Sequence, residues 1–263
     1  MQPPRTAISS EFIWRRVHSL MGFWLVLYLI LHLLTNSQAA LWLGGDGSGF
    51  VRMVNSLESL PYLAEVETIL IGVPFAIHMV WGIHRAWTAR INSQGSDGTS
   101  PALKYGRNRA FTWQRLTSWI LLFGVIGHVV QMRFVEQPKK VGEEWVVTLK
   151  SDEALPPLAA KLGVRLSDAG KQQVFAAAPT PGSAMLLMVR DTFKSPLMVA
   201  LYTVFLLAAA FHAFNGFWTF LITWGVILSY RSQRAMIPVS VIGMGLLTFF
   251  GFAAIYGSYW LAR

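Results

Sequence analysis

The stretch PLMVALYTVFLLAAAFHAFNGFWTFLITWGVIL, residues 196–228, is apolar and long enough to cross a lipid bilayer as one helix. His212 lies near its middle, where a polar ring is costly unless it has a partner. Gly216 follows four residues later and therefore lies on the same face of the helix. A histidine ring that can act as a metal ligand, next to a glycine that leaves a gap on the same face, suits the binding of a flat cofactor. We therefore expect a membrane helix that also carries a binding site.

The composition indicates an integral membrane protein. Of the 263 residues, 54% are hydrophobic and 13% are charged, and the mean hydropathy is +0.45. Soluble domains carry about 25% charged residues. The chain has no cysteine, which excludes disulfides, thiolate-bound iron–sulfur clusters and haem attached through a C-x-x-C-H motif. The net charge of +9 does not indicate nucleic-acid binding, because the basic residues lie mostly in the loops of one side.

Five apolar stretches are each long enough to span a membrane, and they predict an all-α fold with a four-helix core and a fifth helix beside it. We number them spans I to V: about residues 14–36, 66–89, 111–132, 196–228 and 237–261. Span I follows two arginines and ends near Ser37-Gln38-Ala39, which resembles a signal-peptide cleavage site. It is longer than the apolar core of a signal peptide and contains histidines, so we expect it to be retained.

The loop charges predict the orientation. The N-terminal tail and the II–III and IV–V loops hold eleven basic residues: Arg5, Arg15, Arg16, Arg85, Arg90, Lys104, Arg107, Arg109, Arg115, Arg231 and Arg234. Their only acids are Glu11 and Asp97, whereas the I–II loop holds Arg52 against Asp46, Glu58, Glu65 and Glu67. Because basic loops stay in the cytoplasm, we expect a cytoplasmic N-terminus.

Two segments are expected on the outer face. The I–II loop has the apolar spacing of a short amphipathic helix (Phe50, Met53, Val54, Leu57, Leu60), with Ser48 as its N-cap and Pro61 at its end. Residues 133–195 contain strand-like segments at 145–149 and 174–175 and helix-like segments at 157–162 and 182–192. We expect this insert to be a small folded cap, and a disordered segment is the alternative.

Four histidines lie inside the spans, one each in spans I to IV: His32, His78, His128 and His212. Three of them have a glycine four residues away, namely Gly82, Gly124 and Gly216. Each glycine lies on the face of its histidine and would let the edge of a porphyrin approach the backbone. A single histidine of this kind could equally be a hydrogen-bonded packing residue, but four in adjacent spans favour haem.

Depth groups these histidines into two pairs. His32 and His128 lie about 6 Å and 8 Å from the outer ends of their spans, at 1.5 Å per residue. His212 lies about 24 Å from the outer end of span IV, and His78 about 18 Å from the inner end of span II. We therefore expect an outer pair, His32 with His128, and an inner pair, His78 with His212. Two histidines fill both axial positions of a haem iron, which suits electron transfer.

His18 and His84 lie at the inner boundary beside arginines. They are either solvated interfacial residues or contacts to haem propionates or to a partner subunit. The candidate propionate contacts are Arg15, Arg16, His18 and Ser19.

A family resemblance rests on the order and spacing of several segments. They are residues 15–20 followed by His32 in span I, residues 74–78 and 81–82 in span II, residues 113–117 followed by 127–128 in span III, and residues 195–218, 224–225 and 231–234 in and after span IV. They resemble the cytochrome b membrane anchor of type B succinate dehydrogenases and fumarate reductases, the class with five spans, two haems and a single anchor. The resemblance covers all five spans and the surface helix that ends at Pro61. Two departures are the long insert at 133–195 and Ala210, where some dihaem fumarate reductases have a glutamate.

The resemblance implies that His78 and His212 bind the haem b nearer the cytoplasm, and that His32 and His128 bind a second haem b. It implies a flavoprotein and an iron–sulfur subunit docked on the cytoplasmic face of a bacterial cytoplasmic membrane. The dicarboxylate chemistry of this respiratory-chain and tricarboxylic-acid-cycle complex would lie in the flavoprotein, and this chain would carry no catalytic residue. It would transfer electrons between the iron–sulfur clusters and menaquinone or ubiquinone.

The quinone needs hydrogen-bond partners for its carbonyl oxygens. The polar candidates are Asn36, Gln38, Glu67, Gln131 and Arg133. Glu67 could instead be a carboxylate that stabilises a helix N-terminus.

Two other functions remain open at this point. One is a cytochrome b anchor of another quinone-linked complex, such as a hydrogenase or formate dehydrogenase. The other is a transporter or proton channel that uses the histidines as a relay without haem.

Overall fold

A computed structural model describes residues 8–41, 45–88 and 106–261. Within these ranges, five helices are long and apolar enough to cross a membrane: Ser10–Ser37, Leu63–Thr88, Arg109–Val135, Pro196–Thr223 and Tyr230–Gly257. The predicted all-α membrane fold with five spans is confirmed. Arg5, Arg90, Asp97 and Lys104, which entered the orientation argument, lie outside the described residues.

The spanning helices expose large apolar side chains. The exposed fractions are 65% for Leu31, 63% for Ile69, 69% for Phe123, 63% for Leu197 and 63% for Ile242. Surfaces of this kind along whole helices are unfavourable in water and favourable in hydrocarbon. Lipid therefore covers these faces.

Two of the five spans contain a π-helical turn. The first span is helix α1 (Ser10–Ser37), and the second consists of α3 (Leu63–Glu67), a π-turn (Thr68–Gly72) and α4 (Val73–Thr88). The third consists of α5 (Gly106–Val129) and a second π-turn (Val130–Val135). In a π-turn the backbone bonds run between residues five apart, and such turns occur frequently at functional sites.

The last two spans are α8 (Pro196–Thr223) and α9 (Tyr230–Gly257). Helix α8 ends before Leu228 because Gly225 adopts a left-handed backbone with φ of 76°. The Gly225 amide donates to the Ile222 carbonyl and the Val226 amide to the Leu221 carbonyl, which is the Schellman arrangement. Helix α9 begins well before Ile237, because the Ser229 hydroxyl accepts the Ser232 amide at 3.0 Å and caps its first turn.

The predicted surface helix is α2 (Ser48–Glu58). Ser48 is its first helical residue, so the prediction that Ser48 caps the helix is wrong. The cap position is Gly47, with a left-handed φ of 70°, and the Asp46 carboxylate accepts the Ser48 amide at 2.9 Å. That hydrogen bond lowers the pKa of Asp46.

Most of residues 133–195 form a cap that contains both strands and helices. Its elements are β1 (Lys139–Val141), β2 (Glu144–Lys150), α6 (Leu155–Lys161), β3 (Arg165–Gly170), β4 (Gln173–Ala178) and α7 (Pro181–Thr192). The strands form an antiparallel sheet in the order β1-β2-β4-β3. Leu149, Ala176, Leu155 and Leu186 are buried and give this cap a core of its own. The alternative of a disordered insert is therefore wrong.

An ion cluster holds α7 to the rest of the cap. The Asp152 carboxylate accepts two hydrogen bonds from the Arg190 guanidinium, at 2.7 and 2.8 Å, and lies 2.6 Å from the Lys194 ammonium. Burial alone would raise the pKa of Asp152, but the hydrogen bonds and positive charges of Arg190 and Lys194 lower it overall. The Arg190 side chain is only 4% exposed, so its charge depends on this partner.

The described residues form two compact units. The first holds 8–29, 65–88, 106–120 and 209–244, and the second holds 30–41, 45–64, 121–208 and 245–261. In the first unit α9 approaches α8 at Gly243, where a Cβ would lie 2.1 Å from the Phe214 ring. In the second unit α9 approaches α8 at Gly251, where a Cβ would lie 2.3 Å from Leu206. Small residues let membrane helices pack closely without a hydrophobic driving force.

Candidate functional site

Each unit contains one pair of the intramembrane histidines. In the first unit, the ring centroids of His78 on α4 and His212 on α8 lie 6.3 Å apart, with an angle of 83° between the ring planes. In the second unit, His32 on α1 and His128 on α5 lie 5.8 Å apart at 85°. The structure therefore brings together the same pairs that depth in the membrane predicts.

These distances fit two histidines on opposite sides of one metal ion. An imidazole nitrogen lies about 2 Å from a metal, and the ring centroid is about 1 Å further, so two opposed rings have centroids roughly 6 Å apart. Each ring can rotate about its own metal–nitrogen bond, so near-perpendicular planes are compatible with this arrangement. Among residues 8–41, 45–88 and 106–261 no cluster of three or more His, Asp or Glu side chains could hold a bare metal ion.

The His78, His212 and His128 rings each have an acceptor at Nδ1. The His78 Nδ1 lies 3.0 Å from the His18 carbonyl oxygen, the His212 Nδ1 3.3 Å from the Thr117 hydroxyl, and the His128 Nδ1 3.2 Å from the Tyr202 hydroxyl. A histidine that binds a metal typically donates its other ring N–H to such a partner.

The hydrogen-bond directions can be worked out. A carbonyl oxygen only accepts, so His78 carries its proton on Nδ1. The Thr117 hydroxyl donates to the Trp113 or Gln114 carbonyl at 2.8 or 3.1 Å, so its oxygen accepts from His212. The Tyr202 hydroxyl donates to Gln131 at 3.0 Å, so its oxygen accepts from His128. All three rings therefore keep the lone pair on Nε2, the nitrogen that would bind iron.

Sequence reasoning missed these supporting residues. Gln114 and Thr117 both lie within the 113–117 motif, but nothing in their spacing showed that they contact His212. The Gln114 amide nitrogen donates to the His212 carbonyl at 3.2 Å, and its oxygen accepts from Asn215 at 2.8 Å. The resemblance pointed to the motif, and the contacts give the physical reason for it.

His18 has a different environment from the solvated interface considered above. Its ring stacks on His78, with centroids 4.0 Å apart and 7° between the planes. Its Nδ1 is buried and has no hydrogen-bond partner among the residues that the structure describes. The interpretation of His18 as a solvated residue is therefore wrong, and an orphaned nitrogen beside a candidate ligand fits a haem propionate.

The other propionate candidates lie on the same segment of α1. Arg15 pairs with Glu11 at 2.9 Å, and the same carboxylate binds Arg85 at 3.0 Å. The Arg16 guanidinium lies 3.6 Å from the centroid of the Phe12 ring. Ser19 is half-buried. His84 is exposed and contacts the Trp81 ring at 5.2 Å.

The glycines near the histidines differ in their surroundings. A Cβ at Gly82 would lie 3.7 Å from His18, and one at Gly216 would lie 3.6 Å from Gln114, both ordinary contacts. A Cβ at Gly124 would lie 2.5 Å from the Phe205 ring, which packs on that position. Sequence reasoning missed Gly22, where a Cβ would lie 2.7 Å from His78. Gly22 follows His18 by four residues, so the same spacing rule could have identified it.

The quinone candidates are divided between the units. Asn36 lies in the second unit, with its amide nitrogen 3.5 Å from the His32 Nε2 and 2.8 Å from the His32 carbonyl. Gln131, half-buried Arg133 and exposed Gln38 belong to the same unit. Glu67 lies in the first unit and directly precedes the π-turn at Thr68.

Comparison with known proteins identifies the family of the chain. No profile of a known protein family matches the chain. The chain is 30% identical over 249 residues to the succinate dehydrogenase cytochrome b558 subunit of Bacillus subtilis (strain 168), and the alignment covers 94% of this chain and 97% of that protein. Similarity over nearly the full length of both proteins, together with five apolar spans, shows that the chain belongs to the cytochrome b membrane anchors of type B succinate dehydrogenase.

Proposed function

We propose that this chain is a dihaem anchor that transfers electrons between an iron–sulfur subunit and membrane quinone in a succinate:quinone oxidoreductase. His78 and His212 would be the axial ligands of one haem b, and His32 and His128 those of the other. The observation that carries the proposal is the presence of two separate histidine pairs at the ligation distance. In three of the four rings, the hydrogen bond at Nδ1 leaves Nε2 as the ligating atom.

Haem b with two histidine ligands supplies a one-electron carrier without an open iron position for substrate. The residues of this chain hold the rings and set their tautomers. All four rings are half-buried in the structure. Electron transfer needs no nucleophile in the anchor, but reduction of the quinone to quinol takes up two protons with the two electrons and therefore needs a proton donor.

The partner subunits follow from the same proposal. The relative is named as a subunit of succinate dehydrogenase. A flavoprotein that carries the dicarboxylate chemistry and an iron–sulfur subunit would dock on the side with the basic loops, which include Arg85, Arg115 and Arg231. By the positive-inside rule this side is the cytoplasmic face of a bacterial membrane and also holds the N-terminus.

The quinone, menaquinone or ubiquinone, would accept a hydrogen bond from Asn36 or Gln131 near the His32–His128 pair. Asn36 is the better supported of the two. Its amide nitrogen faces the His32 Nε2, and haem ligation of that nitrogen would release one N–H, whereas both amide groups of Gln131 bind protein partners. Glu67 remains a further proposal as a proton donor. Asn36→Ala should raise the KM for quinone, whereas Ser56→Ala, an exposed polar side chain on α2 of the same unit, should leave it unchanged.

The test of the proposal is haem content by optical spectroscopy of the purified complex. The wild-type protein should show two b-type haems. His212→Ala and His32→Ala should each remove one haem and leave the other, and the matched control His84→Ala should retain both. Two haems lost from one substitution, or a wild-type protein without haem, would contradict the assignment. Copurification with flavin and iron–sulfur subunits separates this function from that of a hydrogenase or formate dehydrogenase anchor.

A further inference from the structure

A continuous hydrogen-bond chain leads from His128 to the edge of the cap. The Tyr202 hydroxyl lies 3.2 Å from the His128 Nδ1 and 3.0 Å from the Gln131 amide oxygen. The Gln131 amide nitrogen lies 2.8 Å from the Glu136 carboxylate. All four residues belong to the second unit. The proposed electron-transfer function uses Tyr202 only as the acceptor at His128 Nδ1, and it does not use Glu136.

The donors and acceptors alternate in one direction along this chain. The Glu136 carboxylate is an acceptor, so the Gln131 NH2 group faces it and the Gln131 oxygen faces Tyr202. The Tyr202 hydroxyl then donates to Gln131, and its oxygen accepts the His128 Nδ1–H. Every bond therefore points towards Glu136, and its charge strengthens the whole series.

The π-turn at Val130–Val135 makes the last link. In an α-helix, residues five apart are separated by roughly 140° around the axis, so Gln131 and Glu136 would point to different sides. Here the Glu136 amide donates to the Gln131 carbonyl at 2.8 Å, which is the π-helical pattern between residues five apart. This pattern places the two side chains one above the other.

The cap holds the far end of the chain. The Thr192 hydroxyl, at the end of α7, donates to the second Glu136 oxygen at 2.6 Å. Phe193 packs edge-to-face on the Tyr202 ring at 5.2 Å. Asp191, which precedes these residues, is paired with Lys194 at 2.8 Å in the ion cluster of the cap. The cap therefore positions both Glu136 and Tyr202.

We infer that Glu136 is a positioning residue which, through Gln131 and Tyr202, orients the His128 ring and makes it a stronger electron donor to the haem iron. The inference rests on the proposed function, because it needs His128 as a haem ligand. A carboxylate at the end of a hydrogen-bond series raises the basicity of the ligating imidazole. A more basic ligand stabilises the oxidised iron and lowers the potential of that haem. On this basis the insert tunes one of the two haems.

The test is a redox titration of the purified complex that resolves both haems. Glu136→Gln keeps the side-chain shape and removes the charge. Tyr202→Phe keeps the ring and breaks the chain. Both should raise the midpoint potential of the His32–His128 haem and leave the other unchanged. We expect about a tenfold increase in the ferrous-to-ferric ratio at fixed potential, which is about 59 mV for a one-electron couple.

Two further variants separate charge from structural damage. Glu143→Gln removes the same charge from an exposed turn of the cap and should leave both potentials unchanged. Thr192→Val removes one hydrogen-bond donor from Glu136, so the carboxylate should accept a stronger hydrogen bond from Gln131. The midpoint potential of the His32–His128 haem should then fall. Equal shifts of both haems, or no shift in Glu136→Gln and Tyr202→Phe, would overturn the inference. A wild-type complex with fewer than two haems would instead overturn the proposed function.

Discussion

Gly22 offers a sharp test of the His78–His212 site. A Cβ on Gly22 would lie 2.7 Å from the His78 Cε1 and 3.0 Å from its Nδ1, well inside normal van der Waals contact. The ring cannot easily move aside, because His18 stacks on it at 4.0 Å and the His18 carbonyl binds its Nδ1. Helix α1 therefore constrains His78 through both His18 and Gly22.

Gly22→Ala should weaken the site without breaking the helix. Overpacking of this kind costs about 1–3 kcal/mol. The higher helix propensity of alanine returns about 1 kcal/mol. The net cost is about 0–2 kcal/mol and falls on the position of His78. Its middle value of about 1 kcal/mol corresponds to about fivefold weaker retention of one haem.

The assay is haem content per chain after purification, together with the optical and redox spectra of each haem. Gly22→Ala should lose or shift the His78–His212 haem and leave the other unchanged. Gly245→Ala is the matched control, because a Cβ there would have no atom within 4 Å. It should retain both haems. A Gly22→Ala protein with two haems of wild-type spectra and affinity would refute the argument.

Two more predictions concern Thr117 and Asp152. Thr117→Val removes the acceptor of the His212 Nδ1–H and should weaken binding of that haem about 10- to 100-fold, whereas Thr117→Ser should restore it; haem titration of the purified variants measures both. The folded-state pKa of Asp152 lies below its unfolded value, so Asp152 contributes stability above pH about 4 that is lost as the pH falls. Asp152→Asn should destabilise the cap by about 3 kcal/mol, since it leaves Arg190 buried without its charge partner. Thermal unfolding of the variant and of the wild type, followed from about pH 7 down to about pH 3, checks whether stability falls as predicted. A stability that responds neither to the substitution nor to the pH would contradict the prediction.

The cap shows how far pattern alone can predict a structure. Strands were expected at 145–149 and 174–175, and β2 and β4 contain them. The third and fourth members of the sheet, β1 and β3, have exposed and polar residues that give no strand pattern. They are strands because they pair with β2 and β4, and pairing depends on residues far apart in the chain.

The sequence by itself determined the class of the protein and the number of its spans, because about twenty consecutive apolar residues suffice for a membrane helix whatever its neighbours are. It also determined which histidines could pair, because depth follows from the constant rise of a helix. Only the tertiary structure decided that His18 stacks on His78, that Gly22 contacts the same ring and that Glu136 connects to His128. The first two contacts join side chains from different helices, and the third depends on a π-turn. The spacing of residues along a single α-helix predicts neither kind of contact.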